Sequence, residues 1–309
     1  MNRTLIWIKA VRAPFYVASV LPVILGASLA FFHTGSIFWQ GLILSVLAML
    51  FIHTGGNLAN DYFDYRSGND NVNLKYNPFS GGSRVIQDGL IKPKHILYVS
   101  IASFAVGSII GLYIDYISRG HIVLILGLIG VSTFFFQCAT PLKHGYRGIG
   151  ELICWADLGI LTVLGSYWVQ TGTFHIAVIP LGICAGCLVA GILYINEYPD
   201  YDADKKVGKK TLVVIIGPKR ARYGFYVLII GSFLSIVVGV MLGYIPYLML
   251  FTLLAVPLAI DLLGGFSRLY DKFPDIVKYC GRMVQLYVVM LLLMNITLII
   301  NSFFKSNLL

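Results

Sequence analysis

Two short acidic runs carry enough carboxylate to do chemistry on an anion through a shared metal. Asn60-Asp61-Tyr62-Phe63-Asp64-Tyr65 and Asn196-Glu197-Tyr198-Pro199-Asp200-Tyr201 lie 136 residues apart and agree at four of six positions, with one further Asp/Glu exchange. On a helix, steps of three and four residues return to one face. Asn57, Asn60, Asp61 and Asp64 therefore share a face, as do Asn196, Glu197, Asp200 and Asp204. Carboxylates this close repel one another and stay ionised only when a cation compensates them. Asp and Asn oxygens, with no paired Cys or His set, are hard ligands that suit Mg²⁺ together with water and phosphate oxygens, with Mn²⁺ as its substitute. Asp61, Asp64, Asp200 and Asp204 are the expected catalytic carboxylates, and Asn57, Asn60 and Asn196 complete the expected metal set. Solvated acids capping helix ends would explain either run alone, but not their repetition at equal spacing.

Basic residues near these runs supply the other half of an anion site. Gly81-Gly82-Ser83-Arg84 is a small-residue turn whose backbone N–H groups can approach an anion beside a guanidinium fork. Lys143 follows Thr140-Pro141-Leu142, Lys209 and Lys210 follow Asp204, and Arg12 precedes the first apolar block. Arg12, Arg84, Lys143 and Lys209 are the expected diphosphate ligands. The alternative is topological, since cytoplasmic loops of membrane proteins are rich in Lys and Arg in any case.

The elements that must position these residues are helices in lipid. Of the 309 residues, 58% are hydrophobic and 12% charged, against about 45–50% and about 25% in ordinary soluble domains. Nine apolar blocks approach the roughly 20 residues a spanning helix needs: Phe15–Phe32, Phe38–Gly56, Ile96–Ile114, Ile122–Ala139, Ile149–Trp168, Ile176–Ile195, Tyr223–Leu242, Ile245–Leu263 and Met283–Phe303. All are predicted helical, because lipid offers no partner to unpaired backbone groups. The first block lacks a small-residue cleavage signature and is expected to be retained as a helix.

The net charge of +9 raises the question of nucleic acid, but 21 of the 23 basic residues fall on alternate connections, leaving Arg119 and Lys305 for the other side. That periodicity is the positive-inside pattern of a multi-pass protein. It predicts no nucleic-acid partner, a cytoplasmic N-terminus, cytoplasmic long loops and an outer C-terminus, in the cell membrane. The five cysteines form no extracellular framework, and Cys184-x-x-Cys187 lies among Gly182, Ala185 and Gly186, as in a helix packed through small residues. The matched acidic runs predict one polytopic domain built by duplication. Residues 15–139 and 149–263 form related four-helix halves, and a ninth helix is added at 283–303.

Nine spans with N-D-x-x-D and N-E-x-x-D-x-x-x-D on two cytoplasmic loops resemble the UbiA superfamily of membrane prenyltransferases over nearly the whole chain. The usual first motif has a third aspartate where this sequence has Gly68, and Asp70 follows two residues later. N-D-x-x-D-x-x-x-G-x-D is similar to the MenA branch, which prenylates 1,4-dihydroxy-2-naphthoate. Asp204, Gly208, Lys209, Thr211 and Leu212 also match that branch, in D-x-x-x-G-K-x-T-L. Pro141, Lys143, Gly148, Gly150, Glu151, Gly165-Ser166-Tyr167 and Val169-Gln170-Thr171-Gly172 add to the likeness.

The resemblance implies an all-α integral membrane fold with helices around a central cavity, open to the cytoplasm for diphosphate and sideways to lipid for an isoprenyl tail. It implies that Mg²⁺ bridges the aspartates, Asp70 included, to an isoprenyl diphosphate. Ionisation then leaves an allylic cation, which an aromatic acceptor attacks. For the naphthoate branch the new bond forms with loss of the ring carboxylate, giving a menaquinone precursor. Tyr62, Tyr65, Tyr198 and Tyr201 are candidates to shelter the cation, or else form an interfacial aromatic belt. Asp157 either assists proton removal or makes a structural hydrogen bond, and His53 either lines the cavity or packs.

Other acceptors (4-hydroxybenzoate, homogentisate, a glycerophosphate lipid) fit the superfamily as well. A cation-coupled transporter would also repeat acidic motifs, but near the bilayer midplane, whereas both runs here end apolar blocks and lead into basic loops. A phosphatidyl-group transferase would need a D-G-x-x-A-R opening, which this sequence lacks. Isoprenyl length and oligomeric state are not encoded in these motifs.

Overall fold

The computed structural model describes residues 2–118 and 120–306, the side chains of 305 and 306 excepted. Arg119, the side chain of Lys305 and residues 307–309, all assigned by the charge pattern to the outer side, lie outside the described residues. A short helix α1 (Arg3–Ala10) precedes the spans α2 (Val17–Thr34, opened by a 3-10 turn at Ala13–Tyr16) and α3 (Trp39–Ser67). The single turn α4 (Asn69–Val72) leads by a long loop to α5 (Pro93–Ile117) and α6 (Ile122–Phe136). The fifth span joins α7 (Gly150–Trp155), a π-helical stretch (Ala156–Leu161) and α8 (Thr162–Thr171). Then follow α9 (Val178–Lys206), the short α10 (Leu212–Ile216), α11 (Pro218–Met241), α12 (Val256–Leu269, after a 3-10 stretch at Tyr247–Ala255) and α13 (Ile276–Ser306).

This is an all-α integral membrane protein. Among the described residues, eight helices are long and apolar enough to cross a bilayer, and α6 is an apolar ninth of 15 residues. The structure differs from the apolar blocks mainly on the side that bears the site. α3 continues past Gly56 to Ser67 and α9 past Ile195 to Lys206, while α11 begins at Pro218 and α13 at Ile276. Hydropathy marks only the part of a helix that faces hydrocarbon, and α3 and α9 run on as walls of a polar cavity. The fourth block is shorter than expected, ending at Phe136 rather than Ala139. There the chain turns back, the Gly145 amide donates to the Gln137 carbonyl at 2.9 Å, and His144 Nε2 meets the Thr133 carbonyl at 2.6 Å.

α9 is the most buried span. It meets the π-helical stretch at backbone distance: a Cβ on Gly159 would lie 2.5 Å from Gly186 Cα and 2.6 Å from the Gly182 carbonyl. Cys184 and Cys187 are free and buried beside this contact, so the C-x-x-C belongs to a close helix crossing. Pro199 inside α9 has no N–H for the Ile195 carbonyl. The Cys280 thiol of α13 approaches that oxygen at 4.0 Å instead.

Candidate active site

α3 and α9 carry both acidic runs to one cavity of about 230 Å³. Asp64, Asp70, Asn196, Glu197, Asp200 and Asp204 line it, with Asn57, Asn60, Arg12 and Lys209. Lys209 Nζ stands 3.7 Å from Asp64 and 3.4 Å from Asp204, joining the two runs through one ammonium. Burial opposes that charge, but Asp204 and then Asp64 hold the Lys209 pKa well above its ordinary value. The loop after α3 reaches across as well: Asn69 Nδ2 donates to Asp204 at 2.8 Å and Asn73 Nδ2 to Asp200 at 2.7 Å.

Gly68 ends α3 in the left-handed conformation (φ 79°), which glycine adopts at little cost, and the reversed chain brings Asp70 into the cavity wall. Gly82, also left-handed, lies against that carboxylate: a Cβ there would be 2.5 Å from Asp70 Oδ2. Burial, followed by the charges of Asp64 and Asp61, pushes the Asp70 carboxyl up to about 7. At neutral pH a proton and a metal cation would therefore compete for it.

Several expected site residues stand elsewhere. Asp61 is buried behind the cavity wall, paired with Arg12 Nη2 at 2.6 Å and receiving both the amide (3.2 Å) and the hydroxyl of Ser83. Arg84 donates to the Asp70 carbonyl and stacks 4.5 Å from the Tyr76 ring centre, so the Gly-Gly-Ser-Arg turn braces two aspartates and presents no guanidinium to the cavity. Lys143 lies over the Tyr146 ring at 5.3 Å and does not line the cavity. None of the four tyrosines lines it either. Tyr62 and Tyr65 pack with Val85 and Ile96, Tyr198 packs edge-on to Phe266, and Tyr201 faces Lys205. The cause is angular: they follow or precede the acidic residues by one position, about 100° around the helix. His53 and Asp157 do line the cavity, and His53 Nδ1 meets the Ser19 hydroxyl at 2.9 Å.

Sequence reasoning missed Tyr146, whose hydroxyl donates to Asp64 and whose ring faces Lys209 at 5.2 Å. Burial and then the Asp64 charge push that phenol up, so it keeps its proton and remains a donor. Asn69 and Asn73 were missed too, although N-D-N-V-N is an unusually dense run of oxygen ligands.

A divalent cation fits this donor set. Seven carboxylates line the cavity, Asp64, Asp70, Glu151, Asp157, Glu197, Asp200 and Asp204, and among the described residues Arg12 and Lys209 are the only arginine or lysine side chains lining it with them. Asn69 Oδ1, Asn196 Oδ1 and Glu151 Oε2 are buried acceptors without a hydrogen-bond partner. Among the described residues no three acidic, His or Cys side chains already meet as a closed cage. That openness suits an ion that keeps waters and takes substrate oxygens.

The sequence model of the UbiA prenyltransferase family matches residues 19–276. The 1,4-dihydroxy-2-naphthoate octaprenyltransferase of Bacillus subtilis is 34% identical over 208 residues, covering 66% of this chain and 63% of that protein, just under two thirds of its length. The 2-carboxy-1,4-naphthoquinone phytyltransferase of Synechocystis is 26% identical over 279 residues, 89% of this chain and 86% of the relative. A UbiA homologue from Aeropyrum pernix shares the fold at TM-score 0.70 and 15% identity, over 90% of this chain and 95% of that one. A homologue from Archaeoglobus fulgidus bound to GPP and Mg²⁺ does so at TM-score 0.65 and 17% identity, over 95% and 99%. With the family match running from the first spanning helix to the start of the last, the chain belongs to the UbiA prenyltransferase family.

Proposed function

We propose that this protein transfers a polyprenyl group from an isoprenyl diphosphate to 1,4-dihydroxy-2-naphthoate, in the cell membrane, with the cavity and the N-terminus on the cytoplasmic side. The observation that carries the reading is the meeting of two matched acidic runs at one cavity, joined by Lys209. Such a surplus of buried carboxylate suits a metal-bound diphosphate. The Bacillus and Synechocystis relatives, a dihydroxynaphthoate octaprenyltransferase and a carboxynaphthoquinone phytyltransferase, support the naphthoate acceptor.

Asp64, Asp70, Asp200 and Asp204, with the free oxygens of Asn69 and Asn196, would hold Mg²⁺. A bound divalent cation supplies neutralisation of the charge that develops on departing pyrophosphate. The chain's own residues do the rest. Lys209 keeps the two carboxylate sets at fixed separation and offers positive charge that needs no reorganisation during reaction. Arg12 neutralises Asp61, which stands behind the cavity wall. Tyr146 and Asn60 (Nδ2 to Asp64, 3.1 Å) hold Asp64 in one orientation. The matched runs also support an origin by duplication of a four-helix unit.

The test is direct. Purified full-length protein in nanodiscs with Mg²⁺, an all-trans polyprenyl diphosphate and a panel of acceptors should give a prenylated naphthalenediol lacking the carboxylate, identified by mass. Transfer to 4-hydroxybenzoate, homogentisate or a glycerophosphate lipid in preference to the naphthoate overturns the acceptor assignment.

A further inference from the structure

Two histidines, His53 on α3 and His144 in the turn after α6, line the polar cavity. In each, one ring nitrogen is committed to the protein and the other has no hydrogen-bond partner among the described residues. His144 Nε2 must donate, since the Thr133 carbonyl can only accept, and its free Nδ1 is sealed inside the fold. The free Nε2 of His53 is not sealed in this way, so among the described residues it is the unpaired imidazole nitrogen open to a ligand in the cavity.

A chain of donors fixes the tautomer of His53. The Ser19 hydroxyl donates to the Tyr16 carbonyl at 3.1 Å, so its single proton is committed and its oxygen can only accept. His53 Nδ1, 2.9 Å from that oxygen, is therefore the N–H, and Nε2 carries the lone pair. The ring is held as firmly as the proton. Tyr16 packs edge-on to it with ring centres 5.5 Å apart. The Thr54 hydroxyl donates to the Leu50 carbonyl at 2.7 Å, so the Tyr16 hydroxyl, 2.5 Å away, donates to Thr54 and pins α2 to α3 beside His53.

Position says what this nitrogen can meet. His53 precedes Asp64 by eleven residues on one helix, roughly 16 Å along its axis, so it stands well below the carboxylates that would hold metal and diphosphate. A lone pair there repels anions and calls for an O–H or N–H donor. The Phe134 ring stands 6.1 Å from the imidazole, and Phe15, Ala18 and Leu158 line the same cavity, so the donor belongs to a molecule with an apolar body.

Resting on the naphthoate-transfer reading, we propose that His53 Nε2 is the base that takes the acceptor's hydroxyl proton, from the hydroxyl on the ring carbon next to the carboxylated one. As that proton passes to Nε2, the O–H bonding pair becomes part of a C=O, and a ring π pair forms the new C–C bond to C1 of the prenyl group, whose C1–O pair leaves on pyrophosphate. The intermediate carries its carboxylate β to a ketone. Loss of CO₂ from it leaves an enolate, and His53 Nε2–H returns its proton to the enolate oxygen, giving the naphthalenediol. The imidazole begins and ends neutral, and no other base is consumed. The assistance to proton removal that the sequence offered to Asp157 falls to His53, whose ring is already fixed with its lone pair toward the cavity.

The experiment uses the full chain in nanodiscs with Mg²⁺, geranylgeranyl diphosphate, and 1,4-dihydroxy-2-naphthoate or either of its 1-methoxy and 4-methoxy ethers. His53→Asn keeps an N–H at the place of Nδ1 and removes Nε2. It should lower kcat for the parent acceptor by about a hundredfold or more, the worth of a positioned base. KM for the diphosphate should stay within about threefold of wild type, because the lost contact is to the other substrate. His53→Gln, whose amide oxygen reaches the place of Nε2 and accepts a hydrogen bond but not a proton, should hold acceptor KM near wild type and leave kcat low. The 1-methoxy ether has no proton to give, so it should slow wild type by a similar factor and His53→Asn no further, whereas the 4-methoxy ether should keep the full advantage of wild type. A kcat for His53→Asn within about threefold of wild type overturns the assignment. So does full kcat in His53→Gln, or a 1-methoxy penalty as large in His53→Asn as in wild type. Should His53→Asn fail to fold, the two ethers still decide the matter on wild-type protein, since equal turnover of both overturns it. Failure of the underlying reading shows itself differently: wild-type protein would then prenylate none of these naphthoates.

Discussion

Replacing Lys209 with methionine keeps the bulk of the side chain and removes an ammonium shared by the two acidic runs. Its nitrogen lies 3.4 Å from Asp204 and 3.7 Å from Asp64, with the lysine side chain 16% exposed and the two aspartates 1% and 6% exposed. At an effective dielectric of about 20, each contact is worth about 4–5 kcal/mol of gross attraction. Desolvation offsets most of that, and removing one partner of a buried pair has a net cost of about 3–5 kcal/mol. For a chain of this size such a loss lowers Tm by roughly 6–15 °C. The deficit should depend on metal. Without Mg²⁺, Asp64 and Asp204 face each other uncompensated. With Mg²⁺ and pyrophosphate, a divalent charge replaces the ammonium, and most of the lost stability should return. Thermal unfolding of wild type and Lys209→Met in detergent, each in EDTA and in Mg²⁺ with pyrophosphate, measures both quantities. Turnover should still fall by about a hundredfold, because the fixed charge is missing at ionisation. A variant as stable as wild type in EDTA, or one whose deficit is the same with and without Mg²⁺, refutes the reasoning.

Asp64→Ala and Asp200→Ala should each abolish transfer while the protein still inserts, whereas Asp202→Ala should keep near-wild-type kcat, since Asp202 points outward to the exposed Lys75 at 2.7 Å. Asp70→Ala should reduce metal-dependent turnover far more than Asp88→Ala, whose ion pair with Lys9 is exposed, as Mg²⁺ titrations of activity will show. Excess chelator should abolish product formation and added Mg²⁺ or Mn²⁺ restore it; undiminished product in chelator would remove the metal from the mechanism. Gly82→Val should mimic Asp70→Ala, because its side chain must displace the Asp70 carboxylate, and an unchanged Mg²⁺ dependence would show that this loop does not set the ligand.

The sequence by itself determined the number and kind of the spans and the face on which Asp64, Asp200 and Asp204 sit. Lipid tolerates only helices whose backbone is satisfied internally, so an apolar block of sufficient length has one structural solution, and helical periodicity then fixes which side chains share a face. Gly68 was legible for the same local reason: a residue without Cβ ends the helix in the left-handed conformation, and Asp70 follows the turn. What lies beyond the ends of the helices was decided by tertiary structure alone. Whether Arg84 points at a ligand or at the Asp70 carbonyl depends on the path of a loop whose contacts are with other elements. Tyr146 reaches Asp64 across 82 residues of sequence, a distance no local periodicity spans. The tautomer of His53 likewise arises only where the start of α2 packs beside α3, because the hydroxyl that fixes its proton belongs to the other helix.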